Sequence, residues 1–349
     1  MKILVNVPCL RLLGGVANHY LGLRKYWTAN VFYNTIGKRS NNKWSSIIWY
    51  PFDICKFVYR LLVFRPDVIL LNPSLGKRAL KRDLIYLRIA KLLGKKVVVF
   101  FHGFNLTFAE SLDKKSASNQ LNKADGIIVL AEEFKRILQQ WRVHVPIKLS
   151  TTKVDDQLLD GVTFVPRKKV HQILFLARIT KEKGIFIALK AFAETKKKHT
   201  DLCLSIVGDG PDLEDARLFV KNTGIKDVTF HGRLDGKMLQ QAFMKSDLYL
   251  FPTSHAEGMP TSVLEAMAFG LPVITRPVGG IKDFFDDGKM GILVNDLNED
   301  DFVQAMLFFL DNPDKVLEAS VLNHTYAIDH FLASKVVVDL ELKIQSFLH

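Results

Sequence analysis

The 349 residues carry a formal net charge of +12, are 48% hydrophobic and include three cysteines, Cys9, Cys55 and Cys203, none of them in a CxxC pair. A chain of this length predicts about two domains, and scattered lone thiols argue for a reducing compartment and against a disulfide framework. The charge is unevenly shared: residues 1–166 hold 26 Lys and Arg against 11 Asp and Glu, and residues 167–349 hold 22 against 25, so the first half is expected to meet an anionic partner.

The opening Met1–Val7 has one lysine and an apolar run that ends at Pro8. It reads as a first strand, not a signal peptide. No apolar run reaches the roughly 18 residues of a membrane span. A cytoplasmic protein is expected, with any membrane contact peripheral. Strand-like runs at 3–7, 31–36, 68–71, 97–101 and 127–130 alternate with helical patterns. The scheme repeats at 173–176, 204–207, 228–230, 248–251, 273–275 and 292–294, after a polar linker at 163–169. Such βαβ alternation predicts two doubly wound parallel sheets. Two such domains facing each other leave a cleft at the carboxyl ends of their strands, where open α/β sheets bind ligands.

Several segments could do chemistry. Gly14 and Gly15 follow the first strand and open a helix, so the backbone could approach a ligand there or simply turn tightly. His102 ends the strand 97–101 and could bond a sugar hydroxyl, although a lone histidine is more often structural. Arg178 ends the strand 173–176, with Lys183 and Gly184 just before a helix. A guanidinium fork and a lysine suit a diphosphate, and a solvated basic turn is the plain alternative. Gly208 and Arg233 close two further strands, where a nucleotide could approach.

The most informative stretch is 255–275. Glu257 and Glu265 flank a helix start marked by Gly258, Met259, Pro260 and Thr261. Thr261 and Ser262 could cap that helix, and its N-terminus would offer N–H groups and dipole to an anion. From Thr261, Glu265 is four residues on and shares the same helical face. One ligand with phosphate in the middle and hydroxyl-rich ends, a nucleotide-sugar, would suit this layout. An ordinary capped helix with two solvated glutamates is the alternative. No Cys/His cluster and no Asp-x-Asp after a strand is present. Metal: none is expected, and no cofactor.

The pieces Leu-Ala-Arg178 with Lys183-Gly184, Val-Gly-Asp-Gly-Pro211, Phe-His-Gly-Arg233, Ser246 through Thr253, Glu257-Gly-Met-Pro through Glu265, Gly270-Leu-Pro-Val-Ile274, Gly279-Gly-Ile281 and Gly291-Ile-Leu-Val294 occur in one order over about 171–295. In that order they resemble the retaining glycosyltransferases of the GT-B fold, of the glycogen-synthase-like or family 4 type. The first half resembles them more thinly, through Gly14-Gly15, Pro66-Asp67, His102-Gly103 and Ala124 through Val129. The resemblance implies an α/β GT-B fold. Its acceptor-side domain is expected at 1–165 plus 330–349, and its donor domain at 166–329.

The resemblance also implies roles. Arg178 and Lys183 would hold the leaving diphosphate, Glu257 the sugar hydroxyls and Glu265 the ribose. Gly258 through Thr261 would offer backbone N–H groups. Gly15 would approach the phosphates, and His102 the sugar near the reacting centre. The family retains anomeric configuration, commonly without a metal. Three departures stand out: Ala177 replaces a usual Gly, Leu130-Ala131 a usual Ser, and Thr151 through Asp155 the usual hinge.

Lys77, Arg78, Lys81, Arg82, Arg88, Lys91, Lys95 and Lys96 crowd one helical region against Asp83 alone. Aromatics at Trp44, Trp49, Tyr50, Phe52, Phe57, Tyr59 and Phe64 precede it. Basic and aromatic groups together suit an anionic membrane interface, unless the aromatics are core. No nucleic-acid motif accompanies the charge. The expected activity is transfer of a sugar from a nucleotide-sugar, UDP first and GDP next, to a saccharide or lipid-linked acceptor. A bacterial surface polysaccharide or lipopolysaccharide pathway would fit. The alternatives are a non-catalytic sugar-nucleotide-binding or scaffolding member and a GT-B epimerase.

Overall fold

β1 (Lys2–Val7) is exposed at its first residue and buried over the next five. A strand that is apolar on both faces needs cover on both faces, the situation of a central strand in a parallel sheet. The computed structural model describes residues 1–11, 14–37, 49–255 and 257–348, and it places β1 in that position. With β2 (Asn30–Thr35), β3 (Val68–Leu71), β5 (Lys96–Phe101), β7 (Gly126–Val129) and β8 (Ile147–Leu149) it forms a parallel sheet of order β2-β1-β3-β5-β7-β8. A small parallel pair, β4 (Ser74–Leu75) with β6 (Gly103–Phe104), continues from β3 and β5. The sequence reading misses β4, β6 and β8, which are short or half-buried and carry little apolar signal.

The second sheet comprises β9 (Gln172–Leu176), β10 (Cys203–Val207), β11 (Val228–Gly232), β12 (Leu248–Phe251), β13 (Val273–Thr275) and β14 (Gly291–Leu293), all parallel, in the order β11-β10-β9-β12-β13-β14. The order reverses between β9 and β12 here, and between β1 and β3 in the first sheet. Those reversals are where open parallel sheets leave a crevice at their carboxyl ends.

The chain divides into two compact units. Unit 1 is Met1–Lys153, Ala256–Met259 and Ala333–His349, and unit 2 is Val154–His255 and Pro260–Leu332. The stretch 163–169 is held within unit 2. Phe164 stacks on His324 at 3.8 Å, and Arg167 donates to the carbonyls of Ser246 and Met244 at 2.8 and 3.1 Å. The terminal helix begins at Ala333, because Phe331 closes the helix Pro313–His330 before it. Helix Ala333–Gln345 is tied into unit 1 by Glu341, which accepts the amides of Thr28 and Ala29 at 2.7 and 2.9 Å.

The basic region is less one-sided than the sequence suggests. Helix Lys77–Leu92 carries most of it. Asp125, distant in sequence, pairs with both Lys91 at 2.9 Å and Lys96 at 3.2 Å, and Asp83 takes Arg82 at 2.6 Å. Trp44 lies outside the described residues. Phe57 is core, buried against Tyr86 with ring centroids 4.9 Å apart, whereas Phe52 and Tyr59 are more than half exposed.

Candidate active site

In unit 2 the site is built where β9 ends. After Leu176 the chain runs through Ala177 and the exposed Arg178, then buries Ile179. Thr180 starts a tight turn, Lys181–Lys183, and its hydroxyl accepts the Lys183 amide at 3.3 Å. Gly184 leaves that turn at φ 83° and opens helix Ile185–Lys196. A Cβ on Gly184 would stand 2.1 Å from the Pro252 carbonyl oxygen, so the turn lies directly on the segment after β12. The half-buried Lys183 places its ammonium 5.8 Å from the Phe251 ring.

The Glu182 carbonyl joins these two segments. It accepts from the amides of Ser254 at 2.8 Å and His255 at 3.1 Å, and from the hydroxyls of Thr253 at 3.1 Å and Ser254 at 3.2 Å. The segment Thr253–His255 is therefore registered on the turn that carries Lys183.

Helix Thr261–Ala268 begins at Pro260, whose ψ of 110° is extended, and among the described residues no side chain caps it. The expectation that Thr261 and Ser262 cap the helix is corrected: both lie inside it. Ser262 is engaged elsewhere. The Tyr249 hydroxyl lies 2.8 Å from the Leu176 carbonyl and 2.7 Å from Ser262 Oγ. Its single proton goes to the carbonyl, which can only accept, so Ser262 donates to Tyr249. Tyr249 thus ties the end of β9 to the first turn of this helix. The uncapped N–H groups and the positive end of the helix dipole are left for an anion.

Gly208 and Gly210 serve the chain itself. A Cβ on Gly208, at φ 139°, would lie 1.9 Å from the Ala177 oxygen, and one on Gly210 would lie 2.2 Å from the Ile179 oxygen. Asp212 accepts the Lys181 amide at 2.7 Å. Loop 208–212 therefore moulds the Arg178–Lys183 turn from behind. Arg233 is exposed beyond β11, at the edge of the sheet, two strands from β9.

Unit 1 holds the remaining predicted residues. Gly15 opens helix Gly15–Leu23. Among the described residues, a Cβ on Gly14 or Gly15 meets nothing within 4 Å, so close approach of the chain does not account for these glycines as it does for Gly208. His102 follows β5 and is ringed by His19, Tyr20 and Phe100, with centroids 5.0, 5.7 and 4.0 Å away. Burial pushes its pKa down to about 3, so the imidazole is neutral at physiological pH. Gly258 is buried, and a Cβ there would stand 2.6 Å from the His102 carbonyl oxygen. Met259 accepts the Thr152 hydroxyl at 3.3 Å.

The structure thus gathers Arg178, Lys183, Pro260, Thr261 and Glu265 in unit 2, while Gly15, His102, Glu257, Gly258 and Met259 belong to unit 1. Sequence reasoning does not single out Tyr249 or Asn72. Asn72 does carry a signal, as a buried polar residue directly after the apolar strand Val68–Leu71. Among the described residues, no three His, Cys, Asp or Glu side chains gather as metal ligands.

Residues 163–320 match the family model described as glycosyl transferases group 1. An uncharacterized glycosyltransferase of Haemophilus influenzae is 26% identical over 257 residues, covering 70% of each chain. A putative colanic acid biosynthesis glycosyltransferase of Escherichia coli is 23% identical, covering 78% of this chain and 69% of its own. Among solved structures, HepE of Anabaena in complex with UDP and glucose has a TM-score of 0.76 at 16% identity, covering 99% of this chain and 100% of its own. Sucrose-phosphate synthase of Thermosynechococcus elongatus also scores 0.76 at 16% identity, with 99% coverage of both chains. These likenesses show the fold, two Rossmann-like units of the GT-B type. Over residues 163–320 the chain is similar to the glycosyl transferases group 1 family.

Proposed function

We propose that the protein is a retaining glycosyltransferase that takes a nucleotide-sugar, UDP-linked first and GDP-linked next, and passes the sugar to a saccharide or lipid-linked acceptor in bacterial surface polysaccharide or lipopolysaccharide assembly. The observation that carries this reading is the uncapped helix start at Thr261, tied through Tyr249 to the strand end that delivers Arg178 and Lys183. Two cations and a helix N-terminus on one sheet end suit a diphosphate that gains charge as it leaves. In this reading Glu265 takes the ribose, Glu257 the sugar hydroxyls, and Gly258 through Thr261 offer N–H groups. No divalent ion is assigned, because these fixed charges supply the positive field. The UDP and glucose held by the Anabaena structure favour a UDP-sugar, and the Escherichia coli relative's colanic acid role favours a surface polysaccharide.

A thermal-shift panel of UDP, GDP and ADP with their glucose conjugates tests the donor. A native-state ligand at 100 times its Kd adds about 2.7 kcal/mol of stability, so one base should raise Tm clearly above the others. No shift with any of the six would overturn the reading. Proton NMR of slow donor hydrolysis tests retention: the α-anomer should form first from an α-linked donor, and first appearance of the β-anomer would refute it.

The membrane contact is proposed on helix Tyr50–Val63. Phe52, Tyr59, Leu62 and Val63 are 56–60% exposed on it, and the neighbouring helix exposes Lys77, Arg78 and Lys81. Apolar groups that enter a headgroup layer, next to cations that meet anionic lipid, match such a surface. Among the described residues, no helix is long and apolar enough to cross a membrane. Flotation with vesicles containing about a third anionic lipid should recover the protein, and Phe52→Ser with Leu62→Ser should abolish recovery. Equal recovery with neutral vesicles would refute the charge-assisted contact.

A further inference from the structure

The Asn72 side chain has every hydrogen-bonding position filled. Its amide nitrogen donates to the backbone carbonyls of Asn6 at 2.9 Å and Leu70 at 3.3 Å. Its oxygen lies 2.5 Å from the Tyr20 hydroxyl and 3.0 Å from His102 Nε2. Reversing the amide would set its oxygen against two carbonyl oxygens, which only accept, so the network allows one orientation. The Asn72 oxygen is itself only an acceptor. The Tyr20 hydroxyl, which burial keeps protonated, must therefore donate to it, and so must His102 Nε2.

This settles the state of the imidazole. A neutral ring carries one proton, and with that proton on Nε2 its Nδ1 holds a lone pair. Among the described residues, Nδ1 has no hydrogen-bond partner. The neighbouring His19 offers none: it is 2% exposed, and neither of its ring nitrogens has a partner among the described residues. We propose that Asn72 is a positioning residue that locks His102 in the Nε2–H tautomer, leaving Nδ1 as an obligate acceptor for a hydroxyl of the bound sugar. The sugar contact rests on the nucleotide-sugar reading above, whereas the tautomer lock does not. A free hydroxyl satisfies such an acceptor, and an O-methylated or deoxy sugar leaves it unpaired, which selects strongly against those sugars.

Long-range proton–nitrogen NMR of the full chain labelled with ¹⁵N-histidine tests the lock without any ligand. Wild-type His102 is expected in the Nε2–H form across pH 5–8. Tyr20→Phe leaves the Asn72 oxygen facing Nε2 and should preserve that form, while Asn72→Leu should release a mixture. An Nδ1–H wild type, or an Asn72→Leu spectrum identical to wild type, overturns the lock. UDP-glucose, GDP-glucose and ADP-glucose are then added alongside the free diphosphates. The His102 Nδ1 resonance should shift with the conjugate that raises Tm and stay in place with its diphosphate. Stabilisation without that shift overturns the sugar contact alone. If none of the three conjugates stabilises the protein, the sugar contact falls together with the donor reading, and the ligand-free spectra still judge the tautomer lock.

Discussion

Lys183→Ala and Arg178→Ala are each expected to cut kcat by about 10²–10³-fold, or about 2.7–4 kcal/mol, the range seen when one preorganised charge-stabilising donor is removed. The loss should fall on kcat more than on KM. In the proposed reaction the donor diphosphate would gain negative charge as the glycosidic bond breaks, so a cation beside it would interact more strongly with the transition state than with the ground state. The turn that carries Lys183 is held at both ends, by Thr180 at its start and by the Glu182 carbonyl against the loop after β12. Little reorganisation is then needed during reaction. In the proposed reaction both cations would act on one leaving group, so the double variant should lose less than the sum of the single losses. Lys181→Ala is the matched control, an exposed lysine of the same turn whose backbone, not its side chain, bonds Asp212. Steady-state donor hydrolysis with a melting curve for each variant decides the matter. A Lys183→Ala enzyme with wild-type kcat would remove Lys183 from the mechanism.

Gly184→Ala should have a large effect on stability. The left-handed conformation at φ 83° costs a residue with a side chain about 1–2 kcal/mol. The new methyl would also stand 2.1 Å from the Pro252 carbonyl oxygen, where backbone and not a flexible side chain must yield. A total of about 2–4 kcal/mol is expected, which lowers Tm by about 4–16 °C at the usual slope for a domain of this size. Gly161→Ala isolates the first contribution: φ is 73°, and among the described residues a Cβ there meets nothing within 4 Å. It should cost only the conformational part. Equal melting temperatures for the two variants would show that Gly184 is not seated on Pro252 as described. Because the displaced turn carries Lys183, Gly184→Ala should weaken donor binding as well, and Gly161→Ala should not.

Much of the architecture was legible because buried parallel strands announce themselves. Val68–Leu71 and Leu248–Phe251 are buried at every residue, and continuous apolar runs of that length between helical patterns have few other readings. β8 was not legible, since its three residues are all half-buried and signal neither alternation nor a buried run. The candidate site was legible in its charges and less so in its supports. Arg178, Lys183 and the helix start at Pro260 stand in short motifs that the eye can join. The cap was misread because Ser262 has the right chemistry for a cap, and only the fold reveals that Tyr249 already holds its hydroxyl. Asp125 is far in sequence from Lys91 and Lys96, so local charge counting overstates the basic patch that it partly neutralises. Likewise, Gly208 looks like room for a ligand until the Ala177 carbonyl is found in that space.

The four donors converging on the Glu182 oxygen have a consequence for how this molecule tolerates change. The acceptor is a peptide carbonyl, which every amino acid supplies, while the Glu182 side chain itself is exposed. The oxygen is therefore kept by any substitution at 182, and what a substitution would lose is the hydrogen bond between the Glu182 carboxylate and Thr180. The constraint surfaces instead in its partners, at Thr253 and Ser254, whose hydroxyls reach that oxygen. The shape of the loop is inherited through the backbone of one residue and recorded in the side chains of others.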